Sequence, residues 1–219
     1  MSQNTATTLG SVDGGAASLY DRFASLYDLT FRFNRYSNSV ERYLRERALP
    51  LPEGARVLDA GCGTGLLTLA LLRTLKRSAE VTSFDLSAPS LLKGLDAVRR
   101  LTDAERRRAC FLQANLLAIP FADETFDFVA TSGALEYVPL AEGLAELARV
   151  TKPGGYLLHL PVRPAPASKL LEIMFRFKRL PPAEVERHTR RHFRLLERHR
   201  FSPLEPIGWT KEAILAQKS

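Results

Sequence analysis

The sequence has few of the residues from which covalent or metal-linked scaffolds are built. Its 219 residues include two cysteines, Cys62 and Cys110, four histidines, two methionines and one tryptophan. Two isolated cysteines fit neither a disulfide framework nor a zinc site with paired ligands. We therefore predict no metal site, and we interpret both cysteines as small buried residues in a reducing, cytoplasmic compartment.

Long hydrophobic runs are also missing. No apolar run approaches the length of about 20 residues that a helix needs to span a bilayer. Residues 1–17 are rich in Ser, Thr, Ala and Gly, with no basic start and no apolar block, so we predict a disordered tail rather than a signal peptide. A composition of 45% hydrophobic and 25% charged residues is ordinary for a globular domain.

Acidic residues are scarce in the last third of the chain. Residues 1–151 contain 17 Lys/Arg and 18 Asp/Glu, whereas residues 152–219 contain 14 and 6, which gives that part a net charge of +8. Such asymmetry favours an anionic partner, namely a lipid surface, a nucleic acid or an acidic small molecule. A solvated basic face that maintains solubility explains it equally well.

A glycine-rich turn is the most informative motif that is present. The run from Val57 to Gly65 reads as a buried strand followed by the pattern G-x-G-x-G and then a helix, Leu66 to about Lys76. Glycine lets the backbone approach a ligand closely, and a helix N-terminus after a parallel strand presents unpaired N–H groups. The dinucleotide fingerprint G-x-G-x-x-G has its third glycine one residue later, which disfavours an NAD-linked dehydrogenase.

A second acidic residue has the matching register. Asp85 ends the predicted strand Val81–Asp85, twenty residues after Gly65. An acidic residue at the end of the second strand of a doubly wound sheet is placed to accept hydrogen bonds from ribose hydroxyls. Ser87 and Pro89 then supply an N-cap and an early proline for the next helix.

Predicted strands alternate with predicted helices along the chain, which indicates a parallel sheet covered on both faces. The predicted helices are 18–33, 36–49, 66–76, 139–150 and 187–200. The predicted strands are 56–60, 81–85, 109–114, 126–131, 156–160, 204–209 and 212–217, of which the last two are predicted to form a hairpin.

The motifs together resemble class I S-adenosylmethionine (SAM)-dependent methyltransferases, in the small-molecule and lipid branch that includes quinone-biosynthesis and phospholipid N-methyltransferases. The resemblance covers residues 18–219 and rests on blocks in a fixed order: Tyr20-Asp21, Tyr27-Asp28, the Asp59–Gly65 turn, Asp85, Phe126-Asp127 and Lys152-Pro153-Gly154-Gly155. It implies a Rossmann-like α/β sheet of seven strands with the last antiparallel, in a three-layer sandwich. It also implies N-terminal lid helices over 18–49 and an acceptor lid insertion over 163–185.

The same resemblance implies SAM as the cofactor and a set of residues that bind it. These are Tyr20, Tyr27, Asp59, Ala60, Gly61, Cys62, Gly63, Gly65, Asp85, Leu86, Asn115, Leu116 and Ser132. Asn115 stands where the family usually has an aspartate that binds the adenine, and a turn-forming Asn is the competing interpretation. Tyr20 and Tyr27 are seven residues apart on one helical stripe, which fits either a lid over the cofactor or an ordinary packed face.

Three further residues are candidates for contact with the acceptor. Glu136 and Tyr137 follow the fourth predicted strand, and His159 ends the fifth, at the edge where such sheets bind ligands. A single histidine near a strand end is more often structural. The sequence assigns no general base, so N-, O- and C-methylation stay open.

The leading hypothesis is therefore methyl transfer to a small, apolar or lipid-like acceptor. Residues 169–180 read as a basic amphipathic helix, which fits a peripheral membrane contact or a lid over the acceptor pocket. The alternatives are an RNA methyltransferase, on account of the basic last third, and a catalytically silent SAM-binding protein. We expect no DNA partner, and the sequence does not indicate an oligomeric state.

Overall fold

The structure is a computed structural model, and it describes residues 36–163, 179–202 and 204–219. The predicted tail, the helix 18–33, Tyr20, Tyr27 and most of the basic amphipathic segment 169–180 lie outside the described residues. Among the described residues, no helix is long and apolar enough to cross a membrane.

Helices and strands alternate in the described part of the chain. The helices are α1 (Tyr36–Arg47), α2 (Leu66–Thr74), α3 (Ala88–Val98), α4 (Asp103–Arg106), α5 (Leu140–Val150) and α6 (Pro182–Thr189). The strands are β1 (Arg56–Ala60), β2 (Glu80–Asp85), β3 (Ala109–Gln113), β4 (Phe126–Ser132), β5 (Thr151–Leu160), β6 (Phe193–Arg200) and β7 (Glu212–Lys218). Short 3-10 turns cover Leu135–Tyr137 and Pro206–Trp209.

The seven strands form one sheet in the order β3-β2-β1-β4-β5-β7-β6. The pairs among β1 to β5 are parallel, and β7 runs antiparallel to both β5 and β6. The predicted doubly wound sheet with an antiparallel last strand is therefore confirmed. The carboxyl ends of β1, β2 and β4 meet at one edge, because Ala60 pairs with both Phe84 and Thr131.

Successive strand residues point to opposite faces of the sheet, and each face has its own core. Val57 packs with α1 and α2 on one face, whereas Leu58 packs with α5 and α6 on the other. Helix starts follow the sequence, since Ser87 accepts a hydrogen bond from the Ser90 N–H at 3.2 Å and caps α3 as predicted.

Two predicted elements are wrong. Residues 187–200, predicted as one helix, are the end of α6 followed by the strand β6, and residues 204–209, predicted as a strand, contain the 3-10 turn Pro206–Trp209. The terminal hairpin therefore exists, but β6 is its first strand. The inward side of β6 includes Glu197 and His199 as well as Phe193, so polar residues on both sides of the strand hide the alternation of polar and apolar residues.

The prediction that both cysteines are buried is wrong for one of them. Cys62 is buried, whereas Cys110 is exposed, because it lies on β3 at the edge of the sheet.

Candidate active site

The turn between β1 and α2 is held by the backbone of its neighbours. The Cys62 N–H donates to the Phe84 carbonyl at 2.8 Å, and the Gly65 N–H donates to the Cys62 carbonyl at 2.9 Å. Gly61, Gly63 and Gly65 have φ angles of 72°, 53° and 84°, in the left-handed region that side chains disfavour. The alternate glycines are therefore a requirement of the backbone path.

The close packing around the turn is a second reason why glycines are required there. A Cβ on Gly61 would lie 2.3 Å from the Cβ of Ala134, and a Cβ on Gly65 would lie 3.1 Å from the Cα of Gly94. The turn is thus pressed against the loop after β4 and against α3. The result is a cradle of bare backbone at the carboxyl edge of the sheet.

Asp85 ties this cradle to the loop after β2. Its carboxylate accepts the Gly63 N–H at 2.7 Å and the Ser87 N–H at 2.9 Å. A carboxylate has about four acceptor positions, so one group can hold the turn and also accept hydroxyls of a ligand.

Asp59 is a fully buried carboxyl group under the same turn. Its Oδ2 accepts the hydroxyl of Thr68 at 2.6 Å. The Thr68 oxygen lies 3.0 Å from the Ser83 hydroxyl, which must donate because Thr68 has only one proton. Burial raises the pKa of Asp59 to about 7, although the bond from Thr68 opposes the shift. The other oxygen, Oδ1, has no hydrogen-bond partner within the described ranges.

Tyr36 brings helix α1 to this edge. Its hydroxyl donates to Ser132 Oγ at 2.6 Å, at the carboxyl end of β4. Burial raises the pKa of Tyr36, and the negative charges of Asp59 and Glu136 raise it further. Tyr36 therefore lies between the β1 turn and the loop after β4.

The loops after β2 and β3 expose apolar side chains. Leu86 is 55% exposed and Leu117 is 37% exposed, whereas Leu116 is buried in the core on the α5 face. The side-chain oxygen of Asn115 accepts the Leu117 N–H at 2.9 Å, so Asn115 forms the turn that the competing interpretation described. The same oxygen has a second lone pair, and the side-chain amide nitrogen has two N–H donors that this hydrogen bond does not use.

Glu136 and Tyr137 differ in their surroundings. Glu136 is buried, and its Oε1 accepts the Val162 N–H at 2.7 Å. Tyr137 is 43% exposed; partial burial raises its pKa, and the charges of Glu136 and Asp85 add to this. Tyr137 can thus contact a ligand from the rim, and Glu136 from beneath.

His159 is fully buried on β5. Burial, together with the positive charge of Lys211, lowers its pKa to about 3. Neither ring nitrogen has a hydrogen-bond partner in the part of the chain that the structure describes. His159 is accordingly a neutral imidazole at ordinary pH.

The chain is similar to known methyltransferases. A family described as "Methyltransferase domain" matches residues 57–155. A demethylmenaquinone methyltransferase of Shouchella clausii is 31% identical over 173 residues, which is 78% of this chain and 67% of that protein. The chain belongs to the class I S-adenosylmethionine-dependent methyltransferases.

Two other methyltransferases extend the comparison. A 2-phytyl-1,4-naphtoquinone methyltransferase of Thermosynechococcus vestitus is 34% identical over 140 residues, or 63% of this chain and 60% of that protein. The fold matches the geranyl diphosphate C-methyltransferase of Streptomyces coelicolor with a TM-score of 0.69 at 17% identity, over 96% of this chain and 91% of that one. This chain spans about 60% of the length of the first curated relatives that it matches.

Membership in this methyltransferase family agrees with the glycine spacing that disfavoured a dehydrogenase. The structure brings most of the predicted cofactor residues to one edge of the sheet: Asp59, Ala60, Gly61, Cys62, Gly63, Gly65, Asp85, Leu86 and Ser132. Leu116 offers only its backbone there, because its side chain belongs to the core.

Sequence reasoning missed Tyr36, Thr68 and Lys211. A signal for Tyr36 was present, since Tyr36 and Tyr43 repeat the seven-residue spacing of Tyr20 and Tyr27. Thr68 and Lys211 gave no such signal in the sequence. A single polar residue in an apolar segment becomes informative only when the fold shows that it is buried.

Proposed function

We propose that this chain binds SAM and transfers its methyl group to a ring carbon of an apolar, quinone-like small molecule. The observation that carries the proposal is the glycine cradle joined to Asp85 in a chain of this family. The acceptor class is supported by relatives named for demethylmenaquinone and for a phytyl naphthoquinone.

The residues at the edge fit such a cofactor. Gly61, Gly63 and Gly65 follow a left-handed backbone path, which packs on Ala134 and Gly94. We place the cofactor against this turn, with its ribose hydroxyls at Asp85. The buried Asp59 oxygen is suited to a cationic group, whose charge would favour the ionised carboxylate. When bound, SAM supplies an electrophilic methyl group on a sulfonium.

The flat ring of the adenine needs apolar cover. Exposed Leu86 and Leu117 provide it on the loops after β2 and β3, and Asn115 lies in the same loop as Leu117. Tyr20, Tyr27 and Leu116 stay predictions as cofactor contacts.

Carbon methylation sets a condition on the acceptor. A quinone ring is electron-poor, whereas its two-electron-reduced hydroquinone has ring carbons made nucleophilic by two hydroxyls. The acceptor is therefore the hydroquinone, aligned behind the methyl group near Glu136 and Tyr137. Alignment of this kind supplies about 7–11 kcal/mol of a reaction barrier.

Two experiments test the proposal separately. Calorimetry measures the binding of SAM and of its demethylated product. We expect Asp85→Ala to weaken SAM binding at least about tenfold, from the loss of a charge-assisted hydrogen bond. Asp96→Ala is the matched control, because Asp96 is an exposed aspartate of α3 paired with Arg99. Absence of SAM binding in the wild-type protein would contradict the proposal.

The second experiment measures methyl transfer to a reduced, short-tailed 1,4-naphthoquinone, followed by mass spectrometry of the product. Tight SAM binding without transfer to this probe, or to cell lipid and metabolite extracts, would favour a silent SAM-binding protein. Labelling of RNA instead would favour the RNA methyltransferase. A peripheral membrane contact through 169–180 stays a prediction, and co-sedimentation with anionic vesicles tests it.

A further inference from the structure

Three ionisable side chains are buried together near the carboxyl ends of β4 and β5. Glu136 is 4% exposed, Lys211 is 1% exposed and His159 is 0% exposed. Charged side chains are almost never fully buried unless they are paired, and buried ionisable groups with perturbed pKa values concentrate at functional sites. The cluster therefore needs an explanation of its own.

The backbone brings Glu136 and Lys211 to the same place. Val162 donates its N–H to Glu136 Oε1 at 2.7 Å and pairs with Lys211 as an isolated antiparallel bridge. The Lys211 Nζ donates to the Leu160 carbonyl at 3.2 Å. The short segment after β5 thus separates a buried carboxylate from a buried ammonium.

The electrostatics agree with this placement. Burial lowers the pKa of Lys211, and the Glu136 carboxylate is the charge that opposes the shift. The Glu136 carboxylate also contributes to the raised pKa of Tyr36 from α1 and of Tyr137 from the same turn. Lys211 is a buried cation whose charge interacts with this carboxylate, and the nearby cation Arg163 donates to the Gly208 carbonyl at 2.7 Å.

Three atoms of the cluster have no hydrogen-bond partner among the residues that the structure describes: both ring nitrogens of His159 and Glu136 Oε2. Of these, only Glu136 Oε2 belongs to a carboxyl group. A buried carboxylate oxygen left without a donor is costly, and such an atom in a native fold calls for an explanation such as a ligand. Glu136 lies two residues after Ala134, whose Cβ is 2.3 Å from the position of a Cβ on Gly61, so the turn that carries Glu136 packs against the glycine cradle.

We propose that Glu136 is the catalytic base that removes the hydroxyl proton of a phenolic acceptor, and that Lys211 is a positioning residue whose positive charge lies beside this buried carboxylate. The inference rests on the proposed function for the identity of the acceptor. His159 contributes no charge, because it stays neutral beside Lys211.

Atoms and electrons balance in this step. The acceptor's O–H bond breaks, its electron pair stays on the ring oxygen, and the proton passes to Glu136 Oε2. The ring carbon beside the ionised oxygen forms a bond to the methyl group, and the electron pair of the broken S–C bond goes to sulfur. The methylated carbon then loses its hydrogen as a proton, and the electron pair of that C–H bond restores the aromatic ring with an ionised oxygen. Glu136 returns its proton to this oxygen, so the proton from carbon is the one proton released in total.

Binding of 1-naphthol in the presence of S-adenosylhomocysteine tests the base without any turnover. Electronic excitation makes 1-naphthol a strong acid, and its fluorescence distinguishes naphthol from naphtholate. We expect the excited probe on the wild-type protein to emit as naphtholate, because a carboxylate in contact with its hydroxyl accepts the proton. Glu136→Gln should give emission of the neutral form, while Glu212→Gln should behave as wild type. Glu212 is the matched control, since it is an equally buried glutamate that is held by Arg198.

Failure of 1-naphthol to bind, or emission of the neutral form from the probe on the wild-type protein, would overturn the proposal even if the Glu136→Gln variant did not fold. This readout is independent of methyl transfer. A protein that ionises naphthol but never methylates the reduced naphthoquinone would refute the proposed function and leave the base in place.

Kinetics separate a base from a structural role. With unchanged SAM affinity, Glu136→Gln should lower kcat by about 10²- to 10⁴-fold. Its residual rate should rise about tenfold per pH unit, because solution now supplies the ionised acceptor, whereas the wild-type rate should be flat near neutrality. A variant within about threefold of wild type, or one with an unchanged pH profile, would refute the assignment.

Lys211→Met tests the positioning role by kinetics. We expect it to lower kcat with unchanged SAM affinity, and we expect Lys211→Met/Glu136→Gln to be no slower than Glu136→Gln alone, because Lys211 acts through Glu136. Lys211→Arg, which restores a cation, should recover the rate. Losses that simply add in the double variant would show that Lys211 has no such role.

Discussion

Gly61 and Gly54 share a left-handed backbone and differ in the space around them. Their φ angles are 72° and 66°, yet a Cβ on Gly54 meets nothing within 4 Å, whereas one on Gly61 would lie 2.3 Å from the Ala134 Cβ. We expect Gly54→Ala to cost only the strain of its φ angle, about 1–2 kcal/mol. Gly61→Ala should cost at least about 2 kcal/mol more, with loss of SAM binding. Urea unfolding measures the two losses of stability, and calorimetry measures SAM binding. Equal losses of stability would show that the loop after β4 moves to accommodate the new Cβ.

Residue-level features were predictable where chemistry and spacing are local. The glycines, Asp59 and Asp85 stand in short segments whose turn and strand ends can be derived from neighbours in the chain. Tyr36 was not predictable as a site residue, because its partner Ser132 is 96 residues away. The same holds for Lys211, which approaches Glu136 only once β7 has paired with the segment after β5.

Among the helices and strands, too, some were predictable from the local sequence and others were not. The parallel strands β1, β2 and β4 were predicted closely, because each combines buried apolar residues within a short segment that is bounded by turn residues. The edge strand β6 was predicted as a helix, since it is paired only with β7 and has charged residues on its inward side. Inward charges protect an edge from pairing with other strands, and they also remove the alternation that identifies a strand.

The inward Glu197 of β6 depends on a partner from α1. Arg47 donates to both oxygens of Glu197, and Tyr43 donates to the same carboxylate at 3.3 Å. We expect Arg47→Met to lower the free energy of unfolding by about 1.5–3 kcal/mol, because hydrogen bonds to a charged group are lost. Arg99→Met, which breaks an exposed pair with Asp96, should change it by less than about 0.5 kcal/mol. Urea unfolding compares the two, and equal losses would show that the tie between α1 and β6 adds nothing.

The whole molecule buries two groups whose proton binding has opposite effects on stability. Asp59 has a pKa of about 7 in the fold and 3.8 in an unperturbed chain, so its ionisation disfavours the fold as pH rises from about 4 to 7. His159 has a pKa of about 3 in the fold and 6.5 in an unperturbed chain, so protonation of the unfolded chain disfavours the fold as pH falls below 6.5. Between about pH 4 and 6.5 the folded and unfolded chains bind equal numbers of protons at these two sites, so the two pH dependences cancel.

Substitution of either group should reveal the pH dependence of stability that the other group causes. Relative to wild type, His159→Phe should gain about 2 kcal/mol of stability on going from pH 8 to pH 5, because the unfolded chain no longer takes up that proton. Asp59→Asn should gain about 2 kcal/mol in the opposite direction, from pH 5 to pH 8, because no buried carboxylate has to form. Urea unfolding at pH 5, 6.5 and 8 measures each change within one variant, so the packing cost of the substitution drops out. If the stability of both variants changed with pH as that of the wild type does, these two buried groups would not govern the pH dependence. The carboxyl group that we place beneath the cofactor would then not destabilise the fold when it ionises.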